Sequence, residues 1–141
     1  MSVLIDTSGL LALLNANDER HNSVRTEWAE LVAGDEPLVS TSYILIETFA
    51  LAQNRLGLDA VRTLQEDIYP VLTVEWIGPD LHQAGVHALL TAGRRQLSLV
   101  HCVSFETMRR RHITSAFCLD AHFREHGFEV VPSDAGPARS G

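Results

Sequence analysis

The stretch VLIDTSG, residues 3–9, decides the fold. It begins with three apolar residues, which are followed by Asp6 and then by small polar residues. A short apolar run with such an end is typical of a strand buried on both faces. The leucine-rich segment over residues 10–14 comes next and predicts a buried helix. The chain therefore opens with a β-strand that leads directly into an α-helix.

The same alternation continues to about residue 131. Ser42 and Ser98 precede two of the later helical segments and are the residue type preferred at helix N-caps. The predicted strands are 37–41, 71–76, 113–119 and 128–131, and the predicted helices are 19–32, 43–56, 58–68, 79–92, 99–111 and 121–126. Strands that alternate with helices predict a parallel sheet covered on both faces. The fold class is thus a three-layer α/β/α fold with a short, mainly parallel central sheet.

Length and composition indicate a single globular domain. The chain has 141 residues, of which 45% are hydrophobic, and its mean hydropathy is +0.03. We expect one domain over residues 1–131, followed by a flexible tail over 132–141 that has almost no core-forming residues. No apolar run is long enough for a membrane span, and Asp6 comes too early for a signal peptide. Cys102 and Cys118 match neither a disulfide framework nor a zinc ribbon. A cytoplasmic protein without membrane contact is the expectation.

The charge of the chain is acidic overall. It has 18 Asp and Glu against 11 basic residues, all arginine, for a net charge of −7. This balance does not favour nonspecific nucleic-acid binding over the whole surface, although it leaves room for a local basic patch. Arg94-Arg95 and the arginines at 109–111 form two such clusters. Solvated helix ends are the alternative interpretation of both.

Three acidic residues stand at positions where a carboxylate needs a partner. Asp6 and Asp120 each follow a predicted strand directly, which places both at the carboxyl edge of the sheet. Two carboxylates close together repel each other unless a cation lies between them, although each residue alone also suits a helix N-cap. Glu47 has only apolar neighbours one helical turn away, where a carboxylate is costly without a partner. A bound metal ion would satisfy all three, while contact with solvent or a distant arginine would also satisfy Glu47.

Several other chemistries are excluded by missing motifs. The sequence has no GxxxxGKS/T phosphate loop, no GxGxxG, no GxSxG and no HExxH. His122 and His126 lie near Asp120 and could hold a metal ion by proximity, but an exposed pair on a short surface helix explains them as well.

Three segments together resemble the PIN-domain ribonucleases, and in particular the VapC-like toxins of type II toxin–antitoxin systems. They are residues 3–8, 40–47 and 116–123, and the resemblance extends over residues 2–131. It implies a metal-dependent endoribonuclease that cleaves single-stranded regions of tRNA or rRNA. In that family four acidic residues hold Mg2+ or Mn2+, and Asp6, Glu47 and Asp120 fall on the first, second and fourth of them.

The third acidic position is occupied by His101, although the residues on both sides of it fit the family pattern. Mg2+ prefers oxygen ligands, whereas imidazole suits Mn2+, Zn2+ and other transition metals. We therefore predict weakened or lost Mg2+ binding and impaired catalysis. Three interpretations of His101 stay open: an inactivating substitution, a natural variant that uses another metal, and a natural pseudo-enzyme kept for antitoxin binding or regulation.

Residues near the quartet are candidates for substrate contact. Thr7 and Ser8 lie at a helix start, where they can donate hydrogen bonds to the scissile phosphate, although helix capping explains them as well. Arg109 and Arg110 can contact the RNA backbone at the edge of the site.

The family resemblance also implies protein partners, namely a cognate antitoxin and a second copy of the chain in a homodimer. Leu10, Leu11, Leu14, Trp28 and Leu31 would line an apolar groove for the antitoxin, unless they form ordinary core. The alternative function is accordingly a catalytically inactive PIN-like module that binds an antitoxin or RNA without cleaving it.

Overall fold

The computed structural model describes residues 1–133, and this range holds five β-strands and seven α-helices. The strands are β1 (Val3–Ile5), β2 (Leu38–Thr41), β3 (Thr73–Glu75), β4 (Ser115–Phe117) and β5 (Glu129–Val131). The helices are α1 (Thr7–Leu14), α2 (His21–Ala33), α3 (Ser42–Arg55), α4 (Leu58–Thr63), α5 (Pro79–Ala92), α6 (Leu99–Arg111) and α7 (Ala121–Glu125). Most of the predicted tail, residues 134–141, lies outside the described part of the chain.

The five strands form one parallel sheet in the order β3-β2-β1-β4-β5. From β1 the chain first moves outward through β2 and β3, and then returns to add β4 and β5 on the other side of β1. The order therefore reverses between β1 and β4, where Ile5 lies opposite Phe117. In parallel α/β sheets such a switch point opens a crevice at the carboxyl ends of the strands, which is where ligands bind. The predicted parallel sheet is confirmed.

The sheet has a buried apolar core on each face, as expected for three layers. On one face Leu4 and Ala116 pack with Phe105 of α6. On the other face Ile5 and Phe117 pack with apolar residues of α1 and α2. Alternate residues of each short strand point to opposite faces, so even a strand of three residues contributes to both cores.

Helix boundaries agree with the sequence prediction at most ends, with two differences. Thr41, not Ser42, is the N-cap of α3, and its hydroxyl accepts a hydrogen bond from the N–H of Ile44 at 3.1 Å. The helix predicted over 58–68 becomes π-helical over Leu64–Ile68, followed by a 3₁₀ turn over Tyr69–Val71. Pro70 contributes to the change, because it has no backbone N–H and so cannot continue the α-helical hydrogen-bond pattern.

No helix within residues 1–133 is both long enough and apolar enough to span a membrane.

Candidate active site

Asp6 leaves the end of β1 and caps the start of α1. Its side chain is almost fully buried, and its Oδ2 accepts hydrogen bonds from the N–H of Ser8 at 3.1 Å and from the Ser8 hydroxyl at 2.7 Å. Burial raises the pKa of Asp6, and the two hydrogen bonds from Ser8 only partly offset that effect. A carboxyl group of this kind is stabilised in its charged form by a nearby cation.

Ser8, in the first turn of α1, links the residue that follows β1 to the segment that follows β4. Its hydroxyl donates to Asp6 and accepts a hydrogen bond from the N–H of Leu119 at 2.9 Å. Leu119 immediately precedes Asp120, so this one side chain holds the first and last acidic segments together.

The Thr7 side chain faces α3. Its hydroxyl donates to the carbonyl oxygen of Ile44 at 3.4 Å and accepts from the Thr48 hydroxyl at 2.9 Å. The hydroxyls of Thr7 and Ser8 thus make internal hydrogen bonds that position α1. Their predicted contact with a phosphate stays a prediction.

Glu47 lies on α3 one turn beyond this contact, and it is half-buried. Within residues 1–133 its carboxylate makes no hydrogen bond or ion pair. Its charge is one of those that raise the pKa of His101, so Glu47 acts electrostatically on that imidazole from α3. The sequence expectation of a carboxylate in need of a partner therefore holds for the described part of the chain.

His101 lies in the first turn of α6 and contacts Asp120 directly. Its Nε2 is 2.8 Å from Oδ2 of Asp120, and its Nδ1 accepts a 3.4 Å hydrogen bond from the N–H of Ser98. Burial by itself lowers the pKa of His101, but the hydrogen bond and charge of Asp120, with the charges of Asp6 and Glu47, raise it overall. The surrounding carboxylates thus favour the protonated form of His101 more than water does.

Asp120 caps α7 and is bound through both carboxylate oxygens. Oδ2 contacts His101, while Oδ1 accepts from the N–H of His122 at 2.8 Å and lies 2.6 Å from Nδ1 of the same residue. Burial raises the pKa of Asp120, but these contacts outweigh burial and hold the pKa well below its usual range. The carboxylate is therefore charged and bridges two imidazoles.

His122 belongs to this site, which corrects its interpretation as one of an exposed surface pair. Its side chain is only 18% exposed, and its ring centre lies 4.9 Å from that of His101. His126 is turned away and stacks on Phe105 with ring centres 4.3 Å apart. The signal for His122 was its position two residues after Asp120, at the N-terminus of the same short helix.

Arg109 and Arg110 lie two turns beyond His101 on α6, about 12 Å along the helix axis. The guanidinium of Arg109 lies 5.9 Å from the ring centre of Phe128 and pairs with Glu106 at 3.8 Å. Arg110 is exposed. Contact of these arginines with RNA stays a prediction.

The residues at this edge of the sheet fit a divalent cation. One ligand atom each from His101, Asp120 and His122 lie within 4.8 Å of one another. The carboxylates of Asp6 and Glu47 add negative charge close by, because both act on the pKa of His101. Three carboxylates without an arginine or lysine partner among the described residues suit a bound cation, whereas the two imidazoles suit Mg2+ poorly.

A groove of about 700 Å³ lies between α1, α2 and α4. Leu14 and Trp28 line it, in agreement with the sequence prediction. Leu10, Leu11 and Leu31 do not line it, which corrects that part of the prediction. Leu10 is fully buried in the core against the sheet, Leu31 packs against the same core, and Leu11 lines a separate pocket. Leu14 lies on the same side of α1 as Leu10 but is the last residue of the helix and only half-buried.

No protein-family model matches the chain. The chain is 35% identical over 133 residues to the 23S rRNA-specific endonuclease VapC20 of two Mycobacterium tuberculosis strains, CDC 1551 / Oshkosh and ATCC 25618 / H37Rv. The alignment covers 92% of this chain and 98% of each relative. The crystal structure of Mycobacterium tuberculosis VapC20, described as a sarcin-ricin loop cleaving toxin, superposes with a TM-score of 0.81 at 30% identity. That superposition covers 90% of this chain and 96% of the other.

Proposed function

The chain belongs to the VapC-like family of PIN-domain ribonuclease toxins, and from that premise we propose that it is a metal-dependent endoribonuclease acting on ribosomal RNA. The choice of ribosomal RNA over transfer RNA rests on the relatives, which are named for cleavage of 23S rRNA and of the sarcin-ricin loop. The observation that supports the activity is the contact of His101 with Asp120 at the switch point of the sheet, where the charges of Asp6 and Glu47 also act on His101.

The chain's own residues would act by position and charge. A bound divalent cation supplies an activated water and neutralises charge on the phosphate oxygens. Asp6 and Asp120 would hold the cation from two adjacent strands, and Glu47 would complete the acidic set from α3. The Ser8 bridge keeps the two strand ends at a fixed separation, so that the attacking and leaving groups can be held in line.

His101 is the reason to propose impaired catalysis with Mg2+. Its Nε2 lies against the Asp120 oxygen that would otherwise face the cation, and it lacks the negative charge that an acidic residue would add at this position. Mg2+ would bind weakly as a result. The binding of Mn2+ would be impaired less, because imidazole is a ligand for transition metals.

A second candidate function is a module that binds a partner without cleaving RNA. The contact between His101 and Asp120 supports it, because that contact satisfies an acidic group internally. The groove lined by Leu14 and Trp28 supports an antitoxin as the partner. We further propose that the protein forms a homodimer and acts in the cytoplasm, where its proposed substrate is found.

The substitution His101→Asp tests these alternatives. We expect it to raise the rate of ribosomal RNA cleavage in Mg2+ by about 10- to 100-fold, because it replaces a nitrogen donor with the oxygen donor that Mg2+ prefers. Cleavage of purified 23S rRNA is followed on gels in Mg2+, in Mn2+ and after EDTA treatment.

The matched control is Asp120→Asn in the His101→Asp chain, which we expect to abolish the restored cleavage. No cleavage by any variant with either metal would favour the binding module. Equal cleavage by the starting chain and His101→Asp would show that imidazole serves at this position.

A further inference from the structure

We propose that His101, Asp120 and His122 form a binding site for a divalent transition-metal ion of the zinc and cobalt type, in preference to Mg2+. The inference rests on the proposed function, because it takes this edge of the sheet as the metal site of the nuclease. It goes further by naming the kind of ion and by adding His122 as a ligand. The sequence offers His122 as a metal ligand only by its proximity to Asp120, with an exposed surface pair as the alternative.

The geometry of the three side chains carries the proposal. Nε2 of His101 and Nδ1 of His122 contact different oxygens of the same carboxylate, at 2.8 and 2.6 Å. All three residues can offer a ligand atom within 4.8 Å of the other two. Ligands of a four-coordinate zinc ion lie about 2.0–2.1 Å from the metal, and so about 3.3 Å from one another. To reach that separation, each ring nitrogen would move about 0.5–0.7 Å away from the carboxylate oxygen that it now contacts at 2.8 or 2.6 Å.

The donor types decide which ion. Two imidazole nitrogens and one carboxylate oxygen form the ligand set of many three-residue zinc and transition-metal sites that keep a position open. Mg2+ requires near-octahedral oxygen ligands and loses its water reluctantly. The carboxylates of Asp6 and Glu47 lie close enough to shift the pKa of His101, and their charge adds to the attraction for a dication.

Packing around the two rings fixes them in place, which favours binding. His101 stacks on Phe105 with an interplanar angle of 10°, and it meets the edge of Phe123 at 87°. His122 is held by its own helix through the capping of Asp120. Rigid ligands lose little freedom when an ion binds.

Three internal contacts oppose binding. The ion must replace the protons through which Nε2 of His101 and Nδ1 of His122 now contact Asp120, and the charge of the ion on the same carboxylate compensates for that loss. The third contact is the hydrogen bond from Ser98 to His101. A metal at Nε2 requires the neutral His101 ring to carry its proton on Nδ1, where the N–H of Ser98 now donates. That hydrogen bond is 3.4 Å long, beyond the usual range for N–H donors. Its loss therefore costs little, and the Ser98 hydroxyl still caps α6 through the N–H of His101 at 3.1 Å.

Metal binding to the full chain, without an affinity tag and without RNA, tests the proposal. The purified chain is treated with EDTA, dialysed and titrated by calorimetry with ZnCl2, CoCl2 and MgCl2, and the visible absorption of bound Co2+ reports nitrogen ligation. We expect one Zn2+ per chain, with an affinity at least about 100-fold above that for Mg2+.

Two variants identify the ligands. His122→Asn should lower the Zn2+ affinity at least about ten-fold, and His101→Gln should do the same. The matched control is His87→Asn, because His87 is an exposed residue of α5 that makes no hydrogen bond or ion pair within residues 1–133. It should bind Zn2+ like the starting chain. Circular dichroism checks the fold of each variant, and either ligand variant alone suffices if the other does not fold.

Three results would overturn the proposal: equal affinity for Zn2+ and Mg2+, unchanged Zn2+ binding in a folded ligand variant, or loss of binding in His126→Asn but not in His101→Gln. Because the metal titrations contain no RNA, a negative result in them can be distinguished from a negative result in the RNA cleavage assay that tests the proposed function. Zn2+ binding without RNA cleavage would refute the function alone, and cleavage in Mg2+ without Zn2+ binding would refute this inference alone.

Discussion

At the scale of single residues, each strand-end carboxylate is held by hydrogen bonds from its own segment of chain. Asp6 receives two from Ser8, and Asp120 receives one from the N–H of His122. These local bonds aim the carboxylates but leave the charge of Asp6 poorly compensated, as its raised pKa shows. His101 offsets the effect of burial on Asp6 only in part, so a bound cation would stabilise the charged form of Asp6 further.

Removal of the Ser8 hydroxyl should destabilise the protein more than removal of an ordinary helical hydroxyl. In Ser8→Ala the N–H of Leu119 and the carboxylate of Asp6 both lose a partner inside the protein. We expect a loss of about 1–3 kcal/mol in the free energy of unfolding, because a part-buried polar group without a partner costs that much. Urea denaturation followed by circular dichroism measures it.

Ser23→Ala is the matched control, because the Ser23 hydroxyl donates only to the carbonyl of Arg20 at the start of α2. We expect its effect to stay within about 0.5 kcal/mol. Similar losses in both variants would show that the bridge between α1 and Leu119 contributes nothing special to stability.

At the scale of elements, the site depends on how closely α1 approaches β4. The closest approach is at Gly9, where an added Cβ would lie 2.7 Å from two ring atoms of Phe117 and 3.0 Å from its carbonyl oxygen. Phe117 cannot move aside easily, because it is fully buried and packs against Trp28 with ring centres 5.5 Å apart. Glycine at this position lets α1 lie on the sheet and brings its start, Asp6, beside the end of β4.

Gly9→Ala should therefore destabilise the fold, although alanine favours a helix by about 1 kcal/mol over glycine. We expect a net loss of about 1–3 kcal/mol, because overpacking shifts buried atoms. Thermal and urea unfolding measure the loss. The matched control is Gly34→Ala at the end of α2, where the new Cβ finds ordinary contacts at 3.5 Å or more. An unchanged stability in Gly9→Ala would mean that α1 can shift away from β4 at no cost.

At the scale of the whole molecule, an acidic protein is proposed to bind a polyanion. The net charge of −7 repels RNA at long range, so binding needs local positive charge. The last turn of α6 carries three consecutive arginines. Arg111 is paired with Glu75 at 2.7 Å, whereas Arg110 is exposed and Arg109 is 51% exposed despite its contact with Glu106. Arg109 and Arg110 are therefore the better candidates for contact with phosphates.

Replacement of Arg109 and Arg110 by alanine should weaken RNA binding in a salt-dependent manner. Each lost phosphate contact reduces the slope of log K against log salt by about 1, so we expect a reduction of about 2 for Arg109→Ala with Arg110→Ala. Filter binding without divalent cations, at several salt concentrations, measures it. The matched control is Arg25→Ala with Arg62→Ala, which changes the net charge equally at distant exposed positions. Equal slopes for the two pairs would assign the effect to net charge alone.

The sequence by itself determined most of the elements and the place of two acidic groups. Strands and helices follow from periods of two and 3.6 residues and from end signals such as Asp6, Ser98 and Gly93, all of which are local. The α5 and α6 boundaries came out as predicted for that reason. Because Asp6 and Asp120 follow strands in a parallel sheet, their common edge was also predictable.

Only the tertiary structure decided what these groups contact. The strand order placed β1 beside β4, and so joined Ser8 to Leu119 across 111 positions in the chain. It also brought His122 against Asp120 and His101, and turned Leu10 into the core instead of the groove. Such contacts depend on how helices and strands pack across large sequence separations. A local pattern of residue types carries no record of that packing. The sequence could therefore place His122 near Asp120 but could not decide between a ligand and an exposed surface residue.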